Sequence, residues 1–327
     1  MKIILSKLII IGLSATVFLT IFFLGNFRLS AEINGTPAFI DIPSGTGLNE
    51  ITERIYSTKL IRSKAIFKIY AILSGKAHLL KSGSYEIQPP VSITELLKIL
   101  TEGPKEIAVV ISPGMTVKEI DTRLTEAKII KSGELINFKN GFLEGYLMPD
   151  TYYFYRNSDI DFVVKKILDN FKNKIVEIAG DQIGDLRFLE KNDKLKKILI
   201  IASMLEKEIP DDGEREIAVG ILEKRLKNKM PLQIDATIIY LKCGGRFLNC
   251  APLQKSDYKI DSPYNTYIYQ GFPPAPISNP SLRAILAAMR GKDSSYWYYL
   301  SDPKTKKTIF SKTFEEHNKN RKKYLNS

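Results

Sequence analysis

The sequence predicts an α+β protein that begins with one membrane-spanning helix, continues with a small β-α-α-β-α unit and ends with a larger α+β region. Three observations lead to this prediction. Residues 8–27 form an uncharged, apolar run. Residues 38–104 alternate short strand-like segments with amphipathic helical segments. Residues 105–324 also mix helices and strands, but without the regular strand-helix-strand alternation that a parallel sheet requires.

The apolar run from Leu8 to Phe27 is long enough to cross a membrane. Its 20 residues would form a helix of about 30 Å, which matches the hydrocarbon thickness of a bilayer. A cleaved signal peptide is the alternative, but it needs a shorter apolar segment and small residues before the cleavage point, where this chain has Leu29. Lys2 and Lys7 favour a cytoplasmic location for residues 1–7. We therefore expect an uncleaved anchor, with the remainder of the chain outside the cytoplasm.

The composition limits the classes of partner. The 327 residues carry a net charge of +12, which suits an anionic polymer, a membrane surface or a nucleic acid. The lysines are spread along the whole chain without zinc-ligand spacing or an aromatic RNA-binding signature, so no nucleic-acid partner is expected. The two histidines lie far apart in the sequence, and neither a metal site nor a cofactor is predicted. Cys243 and Cys250 can form a disulfide if the compartment is oxidising.

The elements of the small unit follow from apolar spacing and from capping residues. Phe39–Ile42 is extended and apolar, and the Pro-Ser-Gly sequence after it predicts a turn. Apolar residues at helical spacing from Leu48 predict a first helix, and Ser63 and Ser92 are typical caps for a second and a third helix. A second strand is predicted at Ser82–Ile87, between those two helices.

The larger region is predicted to begin with a strand at Ile107–Ile111 and a helix from Val117. A structured loop rich in glycine, proline and aromatic residues is expected over Gly141–Asp159. The last third, including LQIDATIIYLK, is expected to be rich in loops and to contain a strand pair around YWYYLSD and KTIFSKTFEEH. Further helices are predicted at Ile160–Ile178, at Leu186–Leu189, from about Lys196 and at Glu214–Lys227.

The helix predicted at Lys196–Pro210 is apolar almost all round, which is typical of a buried helix, yet it contains Glu206 and Glu208 near its end. At about 100° per residue, the two glutamates point roughly 160° apart and cannot form a close pair. An ionised carboxylate in apolar surroundings is costly, so each must be neutralised, paired or put to use. Glu206 projects from the apolar side, where its pKa should rise, but the helix alone does not distinguish a general acid from an ion-paired glutamate.

Several loops concentrate polar and aromatic side chains that suit a carbohydrate ligand. Tyrosine rings stack on sugar rings, and amide side chains bind hydroxyl and N-acetyl groups. The alternative is that these side chains satisfy one another within the loops. The residues concerned are Glu144, Asp150, Thr151, Tyr152, Gln233, Asp235, Thr237, Tyr240, Tyr264, Asn265, Thr266 and Tyr267.

Several long motifs occur in a fixed order and give the chain a specific resemblance. FLEGYLMPDTYYF, IASMLEKE, RLKNKMPLQIDATIIY, SPYNTYIYQGFPPAPISNPS and FSKTFEEHNKN resemble the corresponding segments of the YceG-like endolytic murein transglycosylases. The resemblance extends from about Phe39 to Tyr324. It implies an inner-membrane anchor at residues 8–27, a small LysM-like subdomain at 38–104 and an α+β catalytic domain at 105–324 that faces the periplasm.

The resemblance also implies a reaction. It is the non-hydrolytic cleavage of the β-1,4 bond between N-acetylmuramic acid and N-acetylglucosamine in nascent peptidoglycan strands, which leaves 1,6-anhydro ends and ends elongation. The first glutamate of the E-K-E motif, Glu206, is implied as the catalytic residue. We then expect Glu206 to open onto a groove with a raised pKa, and Glu208 to lie on the far side and pair with a cation. Motif positions predict that the groove is lined by Gln233, Asp235, Tyr240, Tyr264, Asn265 and Thr266.

Two other functions remain open at this point. A lysozyme-type muramidase would cleave the same polymer and leave reducing ends, and a membrane-anchored scaffold would bind peptidoglycan without turnover. The resemblance further implies that the protein works near glycan-polymerising synthases. One departure from the family concerns the position before Phe310, where many relatives carry a histidine and this chain has Ile309.

Overall fold

A computed structural model of the protein describes residues 36–141, 143–179 and 192–325. Within these residues, helices are mixed with short two-stranded sheets, which confirms the predicted α+β class. The chain divides into two compact units. The first contains the described residues up to Ile107 together with Tyr155–Asn157, and the second contains Ala108–Phe154 and the described residues from Ser158 onwards.

The first unit has the element order β-α-α-β-α. Its elements are β1 Ala38–Ile42, α1 Leu48–Ser57, α2 Lys64–Leu73, β2 Gly83–Ile87 and α3 Ile93–Glu102. Strands β1 and β2 pair in antiparallel orientation, with Ile40 opposite Tyr85. A single 3-10 turn at Ala77–Leu79 lies between α2 and β2.

Caps and burial explain why these elements form. The Ser63 hydroxyl accepts a hydrogen bond from the Ile66 N–H at the start of α2, and the Ser92 hydroxyl accepts one from the Glu95 N–H at the start of α3. The apolar faces of the three helices and two strands meet in one core. Phe67 belongs to this core and is completely buried, and burial of such a side chain contributes roughly 1.5–3 kcal/mol of stability.

The chain continues with a longer series of helices and short strands. These are β3 Ile107–Ile111, α4 Val117–Glu126, β4 Asp150–Phe154, α5 Ile160–Ala179, α6 Asp193–Glu208, α7 Asp212–Lys227, α8 Asp235–Lys242, α9 Leu282–Met289, β5 Tyr298–Ser301, β6 Thr308–Ser311 and α10 Phe314–Leu325. Short 3-10 turns occur at Phe138–Gly141 and Asp257–Lys259. Strand β3 pairs with β4, and β5 forms an antiparallel pair with β6.

Helix α6 lies at the centre of the core of the second unit. Its Leu195, Leu199 and Ala202 side chains are completely buried. Helix α9 packs against both α6 and α7. The surface of α7 requires a glycine at Gly220, because a Cβ atom there would lie 1.9 Å from the carbonyl oxygen of Lys292. This packing fixes the C-terminal end of α6, where both glutamates lie.

Two predicted elements, the anchor at residues 8–27 and the short helix at Leu186–Leu189, lie outside the described residues. In the part of the chain that the structure describes, no helix is both long enough and apolar enough to span a bilayer.

Helix α8 corrects the expectation of a loop around LQIDATIIYLK. Its Ile238, Ile239 and Tyr240 are of types that favour strands, so local propensity does not indicate a helix. Ala236 and Ile238 are buried, and burial of one helix face overrides propensity. Strand β4 likewise forms within the loop predicted at Gly141–Asp159.

Replacement of the buried Phe67 by alanine should destabilise the first unit. Phe67→Ala is expected to lower the free energy of unfolding by about 3–5 kcal/mol, because it leaves a cavity in the core. Leu73→Ala on the same helix is the matched control. Leu73 is 80% exposed, so its replacement should change stability by less than about 0.5 kcal/mol. Urea unfolding followed by circular dichroism measures both, and equal losses would contradict this core.

Candidate active site

A cleft of about 770 Å³ opens in the second unit where several elements meet. The C-terminal end of α6, the start of α8, strand β5 and helix α10 provide its walls. Its lining includes carboxyl, phenol and guanidinium groups, which belong to Glu208, Asp235, Tyr258, Tyr267, Tyr299 and Arg225. This mixture of aromatic rings and hydrogen-bonding groups fits a polar ligand that itself contains rings.

Glu208 is the carboxyl group of the cleft whose protonation is most altered. The Tyr299 hydroxyl donates a hydrogen bond to Oε2 of Glu208 over 2.7 Å, and the backbone N–H groups of Asp235 and Ala236 also donate to this carboxyl group. Burial outweighs these bonds, and the charge of Asp235 adds to its effect, so the pKa of Glu208 is raised to about 7. Near neutral pH, Glu208 therefore exists in both protonation states.

The local sequence explains why Glu208 is the last residue of α6. Ile209 adopts an extended backbone, and Pro210 cannot continue a helix. The Ser301 hydroxyl donates a hydrogen bond over 2.8 Å to the carbonyl oxygen of Glu208, one of the acceptors that a helix end leaves free. The first N–H groups of α8 likewise have no partner within their own helix, and they are therefore available to a carboxylate.

Two of the predicted substrate-binding residues, Gln233 and Asp235, line the cleft. The Asp235 Oδ1 atom accepts hydrogen bonds from the hydroxyl groups of Tyr267, over 2.5 Å, and Tyr258, over 3.3 Å. Gln233 has a φ angle of +55°, which is uncommon for a residue other than glycine. Its N–H donates to the carbonyl oxygen of Thr266 over 3.0 Å. Strained backbone of this kind concentrates at functional sites.

Two other predicted residues, Asn265 and Thr266, support the cleft instead of lining it. Both side chains are buried. The Asn265 amide donates hydrogen bonds to the carbonyl oxygens of Tyr258 and Ile260 over 3.0 and 2.8 Å. The Thr266 hydroxyl accepts one from the Ile234 N–H over 2.9 Å. Both side chains hold loop backbone in place, and their direct contact with substrate stays a prediction.

Tyr240 and Tyr264 lie together, but neither lines the cleft. Their ring centroids are 5.5 Å apart, and the Phe247 ring centroid lies 6.3 Å from that of Tyr240. The Tyr240 hydroxyl approaches Oε2 of Glu144 at 3.5 Å. Burial raises the pKa of Glu144 to about 8. These tyrosines therefore belong to a second polar cluster in the same unit.

Glu206 does not line this cleft, although the helical wheel predicts that it opens onto a groove. Its Oε1 atom lies 3.1 Å from Nη2 of Arg215 in an ion pair whose side chains are only 10% and 6% exposed. Its Oε2 atom accepts hydrogen bonds from the backbone N–H and the hydroxyl of Ser281, over 2.9 and 2.5 Å. The expectation that Glu208 pairs with a cation on the far side of α6 is wrong, because Glu208 lines the cleft.

The structure differs from the prediction because a helical wheel gives the direction of each side chain but not its partners. The apolar side of α6 faces α7 and α9. Arg215 of α7 supplies a guanidinium group to Glu206, and Ser281, the N-cap of α9, supplies hydrogen-bond donors. The signal that would have favoured Glu208 is Pro210, since it places the last glutamate at the open end of the helix. Tyr299 was not among the predicted residues, although it lies in the predicted strand pair.

The two cysteines, Cys243 and Cys250, form a disulfide. The loop that it closes carries Phe247, whose N–H donates to Oε1 of Glu119 over 2.6 Å. The Phe247 ring lies 3.8 Å from Nζ of Lys207, so the loop is attached to both α4 and α6. Within residues 36–141, 143–179 and 192–325, no group of three or more His, Cys, Asp or Glu side chains could hold a metal ion.

Residues 40–323 match the model of the YceG-like family. The chain belongs to the YceG-like family. It is 26% identical to a YceG-like protein of Listeria monocytogenes whose crystal structure superposes with a TM-score of 0.52, covering 88% of this chain and 99% of that chain.

Curated members of the family have an activity in their names. A Bacillus subtilis protein named endolytic murein transglycosylase is 27% identical over 322 residues, which cover 89% of this chain and 86% of that protein. A Streptococcus pneumoniae protein of the same name is also 27% identical, over 88% of this chain and 58% of its own length. Every cleft residue named above lies within the YceG-like region of this chain.

The raised pKa of Glu208 predicts a stability effect with a definite sign. Its pKa is about 7 in the folded protein against an ordinary value of 4.5, so its contribution to stability is fully present below pH 4.5 and is lost as the pH rises to 7. Glu208→Gln should therefore be more stable than the wild type at pH 8, by up to about 3 kcal/mol, and should differ little at pH 4.

Urea unfolding at the two pH values checks this prediction. Glu223→Gln is the matched control, since it removes the same charge from a side chain in the same unit that is 43% exposed. The control should not become more stable than the wild type between pH 4 and pH 8. A Glu208→Gln protein that is less stable than the wild type at pH 8 would contradict the desolvation of this carboxyl group.

Proposed function

We propose that the protein is an endolytic peptidoglycan lytic transglycosylase, a lyase that cleaves the β-1,4 bond between N-acetylmuramic acid and N-acetylglucosamine and leaves 1,6-anhydro ends. Membership of the YceG-like family and the activity named for its curated relatives support this function. The observation that supports this function most strongly is the position and pKa of Glu208. This carboxyl group lines an open, tyrosine-rich cleft, and its pKa is about 7.

One carboxyl group is sufficient for the proposed reaction. Glu208 in its acid form donates its proton to the glycosidic oxygen, and the bond between that oxygen and the anomeric carbon breaks. Glu208, now a carboxylate, takes the proton of the C6 hydroxyl as this oxygen bonds to the anomeric carbon and closes the anhydro ring. The proton from the C6 hydroxyl thus restores the acid form of Glu208, and no water is consumed. A pKa near the working pH suits a group that acts as acid and then as base.

The muramidase alternative needs a second carboxylate beside the acid. Asp235 is the nearest candidate, since it lines the same cleft. However, its Oδ1 atom is engaged by the hydroxyl groups of Tyr267 and Tyr258, which leaves it less suited to activate a water molecule. The arrangement therefore favours the lytic reaction, in which the C6 hydroxyl of the substrate takes the place of water.

The proposal assigns the acid role to Glu208 and gives Glu206, the residue implied by sequence, a structural role. Both oxygens of Glu206 are engaged, one by Arg215 and the other by Ser281. A group held in this way has no free oxygen to present to a glycan. Of the predicted substrate-binding residues, we propose that Gln233 and Asp235 contact the glycan directly, because both line the cleft.

We propose the cellular setting from the sequence. The apolar residues 8–27 would anchor the chain in the inner membrane, with the LysM-like subdomain at 38–104 and the catalytic domain at 105–324 in the periplasm. An anchored enzyme would meet nascent glycan strands near the synthases that polymerise them and would end their elongation. The net charge of +12 suits acidic glycan strands and anionic lipids.

The decisive test compares Glu208→Gln with the wild type on peptidoglycan strands. The wild type should release fragments with 1,6-anhydro ends, and Glu208→Gln should be slower by at least about 100-fold, because the amide can neither donate nor accept the catalytic proton. Mass spectrometry of the released fragments measures both rate and end chemistry. Reducing ends from the wild type would indicate a muramidase, and full activity of Glu208→Gln would overturn the assignment.

Glu206→Gln is the matched control, since it changes the same chemical group two residues away on α6. It leaves Arg215 without a buried counter-charge and should cost about 3–5 kcal/mol of stability. Its activity per folded molecule should remain close to that of the wild type. If Glu206→Gln abolishes activity while its unfolding curve is unchanged, the sequence-derived assignment to Glu206 is the correct one.

A further inference from the structure

Strand β5 holds the last residue of α6 at two points. The Tyr299 hydroxyl donates to Oε2 of Glu208 over 2.7 Å, and the Ser301 hydroxyl donates to the carbonyl oxygen of the same residue over 2.8 Å. Residues two apart on a strand point to the same face, so one face of β5 contacts both the side chain and the backbone of Glu208. The pairing of Tyr299 with Phe310 of β6 fixes the position of this strand.

The Tyr299 hydroxyl donates its proton to this carboxyl group and does not ionise in the range in which Glu208 titrates. Burial, followed by the negative charge of Glu208, holds the pKa of Tyr299 well above its ordinary value near 10. The phenol therefore keeps its proton throughout the range in which Glu208 titrates. Its ring packs against the apolar core of the second unit, so the hydroxyl has little freedom to turn away from Glu208.

We propose that Tyr299 is a positioning residue for the acid: its hydrogen bond to Oε2 orients the Glu208 carboxyl group in the cleft and favours its ionised form. The inference rests on the proposed function of Glu208. In that reaction the proton must leave Glu208 and later return, and a donor that stabilises the carboxylate makes the first step easier. Without Tyr299, burial alone would hold the proton on Glu208 more tightly.

Three further charged or titratable groups act on Glu208, and they come from α8, from α7 and from the loop that carries Tyr267. Lys207 of α6 and the His317 and Arg321 side chains of α10 also line the cleft. Asp235 on α8 acts against ionisation. Arg225 on α7 acts on Glu208 through its charge, while its Nε and Nη1 atoms donate to the carbonyl oxygens of Trp297 and Leu232. The Tyr267 hydroxyl is bonded to Asp235. None of these contacts involves the Tyr299 hydroxyl, so its removal should act on Glu208 directly.

Tyr299→Phe tests the inference through the pH dependence of turnover. Loss of the donor should raise the pH at which Glu208 ionises, so the alkaline limb of kcat/KM should move to higher pH. The maximal rate should fall about tenfold, because the carboxylate is less stabilised and less well oriented. If Tyr299 had only a structural role, Tyr299→Phe would lower activity without moving the alkaline limb of the kcat/KM profile.

Two matched variants separate these cases. Tyr152→Phe removes a phenol hydroxyl from another buried tyrosine of the same unit, one that donates to the Met148 carbonyl oxygen over 2.7 Å. Ser301→Ala removes the second contact of β5 with Glu208 but leaves the carboxyl group alone. Both should reduce stability and leave the alkaline limb in place. An equal movement of the limb in either variant would overturn the inference.

A direct titration makes the test independent of turnover. Carbon-13 NMR of the full-length protein labelled at the glutamate carboxyl carbons should show a signal that titrates near pH 7 and is missing in Glu208→Gln. This signal should titrate at higher pH in Tyr299→Phe. If the phenylalanine variant does not fold, 3-fluorotyrosine at position 299 provides a stronger donor of the same shape, and the titration should then move to lower pH.

The outcomes separate the two proposals. If Glu208→Gln is inactive but the Glu208 titration is the same in wild type and both position-299 variants, the role of Tyr299 is overturned and the proposed function stands. If the wild type leaves reducing ends, the proposed function fails. If Glu208→Gln keeps full activity, the assignment of the acid to Glu208 fails. In both cases the NMR titration alone decides whether Tyr299 controls the ionisation of Glu208.

Discussion

Two carboxyl groups are removed from water at the end of one buried helix, and the surrounding elements are arranged to satisfy each of them differently. A desolvated carboxylate is costly unless a cation or several donors stabilise it. Glu206 receives a guanidinium group from α7 and the N-cap of α9. Glu208 receives a phenol from β5 and the first amides of α8, and no cation among the described residues forms an ion pair with its oxygens. The difference in partners separates a structural ion pair from a group that can exchange a proton.

Among the described residues, two cations near Glu208, Arg225 and Lys207, are bound to other groups. Arg225 lines the same cleft, and its Nε and Nη1 atoms donate to the carbonyl oxygens of Trp297 and Leu232. Lys207 is adjacent in sequence, yet its ammonium group binds the Gly114 carbonyl oxygen and lies over Phe247. Both cations are thus engaged by other groups, and burial raises the pKa of Glu208 to about 7. Burial of this carboxyl group therefore lowers the stability of the protein above that pH.

The fold was largely predictable, because its signals are local. Caps such as Ser63 and Ser92, the apolar periodicity of α6 and its end at Pro210 indicate the elements directly. The site was predictable only where a residue follows a recognisable motif, as for Gln233 and Asp235. The partners of Glu206 could not be predicted from its helix, because Ser281 comes from 75 residues further along the chain. Asn265 and Thr266 show the same limit, since polar residues of a loop motif can be buried in support of its backbone.

Glu144 shows that a raised pKa alone does not identify the acid. Burial raises its pKa to about 8, which is further from the ordinary value than that of Glu208. Its oxygens, however, accept hydrogen bonds from the Val117 N–H and the Asn279 amide, and it does not line the cleft. The same Asn279 amide group also binds the Met115 carbonyl oxygen, so this cluster joins separate segments of the second unit. Access to an open cleft, in addition to desolvation, is what distinguishes the proposed acid Glu208 from a buried carboxyl group that holds the fold together.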